Sequence, residues 1–248
     1  MDQAAGWPAA RCWYTHLAMP DSPVLVITGA STGIGAATAR RAAQFDYRVV
    51  LAARSEGKLA ALAEELGGPE RALAVRCDVT SWDDQQALVA AARERFGRLD
   101  AFLANAGFGA KRGFLEESVE HWKSMIDTNI YGAALSIRAC LAHFREQKSG
   151  HVLLTSSVAG RRVLPGSLYS CTKHAVTAMG EALRQEVAET GIKVTLIEPG
   201  AVDTPFFDDR PTNALVDDDI ARAVMFALTQ PPHVDVNEIL VRPIQQPL

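Results

Sequence analysis

The segment SLYSCTKHAV, residues 167–176, sets Tyr169 and Lys173 four residues apart. On a helix, positions i and i+4 share a face, so a phenol and an ammonium would lie side by side. A free tyrosine titrates at about 10, too high to exchange its proton readily at neutral pH. A nearby positive charge favours the phenolate. A phenol tuned in this way can give a proton to a carbonyl oxygen or take one from an alcohol. The same pair also arises by chance on amphipathic helices, so its meaning depends on the rest of the chain.

A second group of residues points to a dinucleotide. TGASTGIG (28–35) joins an apolar run, VLVIT (24–28), to an Ala-rich stretch with helical spacing. Glycines at a strand-to-helix turn let the backbone approach a pyrophosphate lying on the helix N-terminus. Gly29, Ser31, Thr32, Gly33, Ile34 and Gly35 are therefore candidate cofactor-binding residues. About 20 residues on, a carboxylate would select NAD through the ribose 2′-hydroxyl. Here Ala53 is followed by Arg54. A guanidinium can hold a 2′-phosphate through two parallel hydrogen bonds, where a carboxylate would repel it. The expectation is NADP(H); the plainer reading is a solvated arginine opening the next helix. CDV (77–79) puts Asp78 and Val79 where an adenine could lie. NAG (105–107) puts Asn105, Ala106 and Gly107 where a cofactor would cross the sheet. Asn105 could equally be a turn residue bonding its own backbone.

These residues need elements to position them. Apolar runs at 24–28, 48–53, 73–79, 99–107, 151–157 and 193–200 read as strands, with a last strand in NEILVRP near the C-terminus. Helical patterns fall between them: to about 45, from 56, at 82–96, one long helix at 119–147, another at 169–190, and one near 217–228. Short apolar strands alternating with helices imply a parallel sheet covered on both faces. The expected fold is α/β, a single doubly wound Rossmann-type domain with a seven-stranded parallel sheet at 21–248 and a lid near 203–216. In such a sheet ligands bind beyond the carboxyl ends of the strands. The candidate residues all follow strands.

Composition narrows the class. The chain has 248 residues and a formal net charge of −4, with no run of basic residues that would suit a nucleic acid. No apolar stretch reaches the roughly 18 residues that would cross a bilayer. Cys12, Cys77, Cys140 and Cys171 show neither disulfide nor metal-ligand spacing, and read as reduced thiols of a cytoplasmic protein. Cys171, inside the Tyr–Lys turn, reads as a small buried hydrophobe before it reads as a redox sensor. Residues 1–20 lack the pattern of a signal peptide. They are either a flexible extension ahead of a chain that functionally begins at Met19, or an arm packing Trp7, Trp13 and Tyr14 on a neighbour.

Taken in order, TGASTGIG, NAG, the SS pair, YSCTK and EPG resemble the short-chain dehydrogenase/reductase family in its form of about 250 residues, over roughly 22–248. The resemblance implies Tyr169 as catalytic acid/base and Lys173 as the residue that binds the nicotinamide ribose and lowers the tyrosine pKa. It implies a serine of the SS pair orienting the substrate oxygen, and Asn129 holding a water in a proton relay. Pro199, Gly200, Val202 and Thr204 would position the nicotinamide carboxamide. Family spacing counted back from Tyr169 selects Ser156, whereas alignment of the SSVAG and LPG segments selects Ser157. Ser157 is preferred, because a loop absorbs a deletion more easily than a strand end does.

The expected activity is NADP(H)-dependent transfer of hydride between nicotinamide and a small or medium ketone or secondary alcohol. Phe206 and Phe207 would wall the substrate, or else pack on their own lid. An inward-facing Arg161 or Arg162 would suit a carboxylate-bearing substrate. The ending NEILVRPIQQPL resembles relatives of broad or hydroxy-acid specificity and lacks the Gly-Gly ending of fatty-acid ketoreductases. The family resemblance also implies a homodimer or homotetramer joined through the long helices. A non-catalytic NADP(H) sensor or scaffold is the alternative, and a tuned tyrosine argues against it. An extended-branch epimerase would need a larger C-terminal region.

Overall fold

A computed structural model of the chain describes residues 22–207 and 210–246; the extension expected at 1–20 lies outside the described residues. Strand β1 (Val24–Thr28) is buried along its whole length. Its side chains alternate between two covered faces, which is why every position is apolar or hydrogen-bonded. Val24 and Val26 enter one core, Leu25 and Ile27 the other.

From β1 the chain builds outward through β2 (Arg48–Ala53) and β3 (Ala72–Arg76). It then returns to the far side of β1 with β4 (Ala101–Ala104), β5 (Gly150–Thr155) and β6 (Ile192–Pro199). Two short strands, β7 (Val202–Asp203) and β8 (Leu215–Val216), pair with each other at the two ends of the expected lid. Strand β9 (Glu238–Val241) closes the sheet edge. Among the described residues the main sheet is seven-stranded, in the order β3-β2-β1-β4-β5-β6-β9, with every pair parallel. The order reverses between β1 and β4, and a crevice opens there at the carboxyl ends of the strands.

The helices are α1 (Gly33–Gln44), α2 (Glu56–Glu65), α3 (Trp82–Phe96), α4 (Val119–Ile126), α5 (Ala133–Gln147), α6 (Leu168–Glu186) and α7 (Asp217–Leu228). Ala39, Leu59, Leu62, Ile220 and Val224 of α1, α2 and α7 pack on one face of the sheet. Leu88, Phe96, Ile137, Phe144, Val176 and Leu183 of α3, α5 and α6 pack on the other.

Two expectations change in detail. Strands β3 and β5 stop at Arg76 and Thr155, so Asp78, Val79 and both serines of the SS pair lie in loops beyond strand ends. The long helix expected at 119–147 is not regular. α4 and α5 are joined by a π-helical stretch, DTNIYG, at Asp127–Gly132, and Asn129 sits inside it. Such wide turns hold one extra residue and concentrate at functional positions.

Candidate active site

A cleft of about 590 Å³ lies over the carboxyl ends of the strands. The turn after β1 forms its floor. Gly29 takes φ +66°, a conformation that disfavours a side chain. Even a methyl there would come 2.9 Å from the Ala106 backbone. Gly35 lies under the turn, not on the cleft, and brings α1 against the Gly29 carbonyl. Thr32 caps α1 without a side-chain hydrogen bond, and no acid stands in the first turn. The first amides of α1 therefore remain available to an anion beside Ser31, Thr32, Gly33 and Ile34, all of which line the cleft.

The outer wall comes from the ends of β2 and β3. Arg54, Asp78 and Val79 line it together with Ser55. Two donors of Thr80, its backbone N–H and its hydroxyl, reach Asp78 Oδ1 at 3.0 and 2.8 Å. These bonds, with Arg54 nearby, hold the Asp78 carboxyl below its usual range. The crossing is made by Asn105, Ala106 and Gly107. Asn105 is not a local turn residue. Its Nδ2 donates to the Thr28 carbonyl at 3.1 Å, and its Oδ1 accepts from Thr155 Oγ1 at 3.2 Å, so one side chain ties β1, β4 and β5 together. A glycine turn, exposed helix amides, an open arginine and a narrow crossing fit a dinucleotide laid across β1 and β4.

At the far end stand Tyr169 and Lys173, on the first turns of α6. Lys173 is 4 % exposed, and its ammonium lies 5.7 Å from the Tyr169 ring centre. It donates to the Thr155 carbonyl at 2.7 Å and not to the phenol oxygen. Burial pushes the Lys173 pKa down to about 8. Burial raises the Tyr169 pKa, and a hydrogen bond with Ser157 opposes that rise. The lowering expected from the lysine is therefore absent from the protein's own charges. The ammonium is engaged elsewhere, and desolvation of the phenolate dominates.

The two serines part company here. Ser156 Oγ donates to the Lys173 carbonyl at 3.1 Å and shares a 2.7 Å hydrogen bond with Thr177 Oγ1, so it braces α6. Ser157 contacts the Tyr169 hydroxyl side of the cleft, donates to the Pro199 carbonyl at 3.3 Å and accepts from the Ala159 N–H. Pro199, Gly200, Val202 and Thr204 line the cleft beside it. Phe206 meets the Tyr169 ring edge-on at 5.5 Å, and Phe207 packs on Phe206 at 5.0 Å, so these aromatics cover the tyrosine.

Asn129 lies behind the cleft. Its Nδ2 donates to the Phe108 carbonyl at 2.9 Å and to Thr172 Oγ1 at 3.1 Å, and its Oδ1 accepts the Phe108 N–H at 3.1 Å. Both polar atoms of the side-chain amide thus reach protein groups. Cys171 is exposed, contrary to the expectation that it is buried. Two helical positions past Tyr169 lie about 200° around the axis, away from the cleft.

Neither Arg161 nor Arg162 faces the cleft, so the condition under which they would suit a carboxylate-bearing substrate is not met. Arg161 pairs with Glu198 at 2.6 Å and with Glu238, on the outer side of β6 and β9. Arg162 is exposed and lines that outer hollow. Glu198 is 1 % exposed; burial raises its pKa and Arg161 pulls it back. Arg161→Ala is expected to destabilise the fold by about 2 kcal/mol at pH 8, less than a fully buried pair would lose because the guanidinium is partly solvated. A carboxyl whose folded pKa stands above its unfolded value favours the folded state when protonated. The penalty should therefore be complete above the raised pKa and shrink as pH falls toward the unfolded value. Urea melts at pH 8 and pH 5 measure it, and equal penalties at both would contradict this account.

Sequence reasoning missed several cleft residues. Thr155 anchors both Asn105 and Lys173, but half of that task falls on a backbone carbonyl, which leaves no trace in a sequence. Gln246 Oε1 accepts the Ala201 N–H at 2.9 Å and clasps the loop after β6 from the C-terminal end. Arg112 also lines the cleft.

Comparison with known proteins agrees with this architecture. Residues 23–214 match the short chain dehydrogenase family profile. An uncharacterised oxidoreductase of Staphylococcus haemolyticus is 44% identical over 225 residues, covering 89% of this chain and 97% of that one. Among solved structures, an alcohol dehydrogenase from the archaeon Thermococcus sibiricus, complexed with 5-hydroxy-NADP, superposes with a TM-score of 0.82 at 32% identity, covering 91% and 98% of the two chains. A 3-ketoacyl-(acyl-carrier-protein) reductase from Brucella melitensis, complexed with NADH, also gives 0.82, at 30% identity with 91% and 98% covered. A profile that spans most of the sheet, together with relatives aligned over nearly their full length, means that the chain belongs to the short chain dehydrogenase family of oxidoreductases, which work with a nicotinamide cofactor.

Proposed function

We propose that the protein is an NADP(H)-dependent carbonyl reductase or alcohol dehydrogenase acting on a small or medium ketone or secondary alcohol. The observation that carries this reading is Tyr169, set near Ser157 and beside Lys173 at one end of a cleft suited to a dinucleotide. The dinucleotide, when bound, supplies the hydride to a carbonyl carbon or takes it from an alcohol. Tyr169 holds the proton that the carbonyl oxygen receives. Its raised pKa keeps the phenol protonated in the protein alone, which suits the reducing direction. Ser157 both donates and accepts, so it can orient a carbonyl or a hydroxyl oxygen. Lys173 fixes α6 to β5 through Thr155 and keeps a cation beside the phenol. Asn129 locks the wide helical turn to the Phe108 backbone, setting the wall behind Lys173.

Arg54 supports NADP(H) over NAD(H). It lines the adenosine end of the cleft, and the neighbouring Asp78 is occupied by Thr80. Arg54→Ala is expected to lower the ratio of kcat/KM with NADPH to that with NADH by about 10- to 100-fold, as losing charge-assisted hydrogen bonds would. Initial rates with both cofactors against ketones, keto acids and quinones test this choice and the reading together. Turnover of a carbonyl with NADPH supports it. Tight NADPH binding with no turnover across a widened panel would move the assignment to a cofactor sensor.

The proposal includes a second copy of the chain as partner. Phe114, Leu115, Val119, Ile126 and Tyr131 are exposed along α4 and its flanks, a run of apolar surface that a paired copy would cover. It also includes a cytoplasmic location, supported by Cys77, Cys140 and Cys171 being free thiols. Among the described residues no helix is long and apolar enough to cross a membrane.

A further inference from the structure

We propose that the substrate carries a carboxylate and that Arg112 holds it. This rests on the reductase reading above and adds the class of substrate. Arg112 lines the cleft from the loop between β4 and α4, together with Gly109, Leu164, Tyr169 and Phe206. That is the tyrosine end. The loop is pinned there, because the Gly113 N–H donates to the Gly166 carbonyl at 2.9 Å, three residues ahead of Tyr169. On its other flank the Lys111 N–H meets Glu117 Oε2 at 3.5 Å.

The guanidinium makes neither a hydrogen bond nor an ion pair among the described residues. Among the described residues Arg41, Arg98, Arg145 and Arg161 bind carboxylates, whereas Arg54, Arg93 and Arg162 do not; of these three only Arg54 also lines the cleft, at its other end. Glu117, the acid nearest in the loop's bonding, is occupied by the Lys111 and Ser118 amides and lies 3.9 Å from His121. The only acid lining the cleft, among the described residues, is Asp78, which stands at the opposite end near Arg54. An exposed guanidinium without an acceptor therefore lines the same cleft as Tyr169, Phe206 and Leu164.

A guanidinium matches a carboxylate through two parallel hydrogen bonds. Among the described residues the cleft lining carries one acid, Asp78, remote from Arg112, which favours an anion there. A neutral ketone would leave Arg112 to water, whereas an oxo acid would be fixed at one end and present its carbonyl to Tyr169 and Ser157. The class is a short oxo acid, reduced to the corresponding hydroxy acid.

The test compares 3-oxobutanoate and 4-oxopentanoate with their methyl esters, using NADPH and the full chain, in wild type, Arg112→Ala and Arg112→Lys. At least one acid is expected to exceed its ester in kcat/KM by about 10- to 100-fold. In Arg112→Ala that preference should vanish through KM, and Arg112→Lys should keep part of it, because the charge remains and the fork is lost. Acids and esters turned over alike, or neutral ketones reduced while neither acid is, would sink the proposal and leave the reductase reading standing. A preference that survives Arg112→Ala would also sink it. So would an equal loss of NADPH affinity in that variant, since Arg112 would then serve the dinucleotide. No carbonyl reduced at all by a protein that binds NADPH would overturn both.

Discussion

Tyr169→Phe is expected to lower kcat by about 10³-fold, the scale of losing a positioned acid/base group. NADPH affinity should change far less. The substitution keeps the ring that packs edge-on against Phe206 and lies beside the Lys173 ammonium. It deletes only the phenol oxygen, on the side of the ring near Ser157. Ser157 keeps its bonds to the Pro199 carbonyl and the Ala159 N–H, so the loop around it has no reason to move. Steady-state rates of NADPH oxidation, with fluorescence titration of NADPH alongside, separate the two effects. A variant that retains wild-type kcat would refute the assignment of Tyr169 as proton donor. A variant that loses cofactor binding to the same degree would show that the hydroxyl serves the dinucleotide instead.

Gly35→Ala is expected to weaken NADPH binding by about 10- to 100-fold, the counterpart of the 1–3 kcal/mol that overpacking a tight contact costs. Gly35 lies within α1, where alanine would ordinarily be the better helix former by about 1 kcal/mol. The objection is spatial. A methyl there would stand 2.4 Å from the Gly29 carbonyl oxygen and 2.9 Å from Asn105 Nδ2. Neither can retreat freely, since Gly29 belongs to the turn that forms the cleft floor and Asn105 is tied to Thr28 and Thr155. The turn must lift or α1 must shift, and both displace the surface offered to a pyrophosphate. Gly57→Ala supplies the control, because nothing lies within 4 Å of a methyl at that position in α2. It should leave NADPH binding unchanged and raise stability by up to about 1 kcal/mol. Unaltered NADPH affinity in Gly35→Ala would remove this residue from the cofactor-binding set.

What the sequence made legible follows from patterns that repeat along the chain. Buried parallel strands must be apolar throughout, so β1, β2, β4, β5 and β6 could be located from composition alone. The turn after β1 could be read because glycine serves backbone approach at a phosphate. Arg54 could be placed because it directly follows a strand end. The failures share a cause as well. The direction of Arg161 depends on Glu198 and Glu238, residues 37 and 77 positions away in β6 and β9 that the notation of local pattern does not connect. The pKa of Tyr169 is governed by burial, opposed by Ser157, and YxxxK spacing encodes neither. The division between Ser156 and Ser157 depends on which hydroxyl finds Thr177 and which finds Pro199, a matter of tertiary packing. Arg112 carries no motif at all; only its place on the cleft wall, seen in three dimensions, distinguishes it.

The wide turn at Asp127–Gly132 gives the rod from Val119 to Gln147 two rotational phases. Ahead of it, Val119 and Ile126 look outward; behind it, Ile137, Cys140 and Phe144 look into the sheet. A regular helix repeats every 3.6 residues, so removing the one additional residue would turn the leading half by about 100° relative to the trailing half. That rotation would carry the outward apolar strip off its present bearing and take Asn129 away from the Phe108 backbone. The length of this segment is therefore as fixed as any side chain in the cleft. One backbone irregularity sets both where the leading half of the rod points and how the wall behind Lys173 is built.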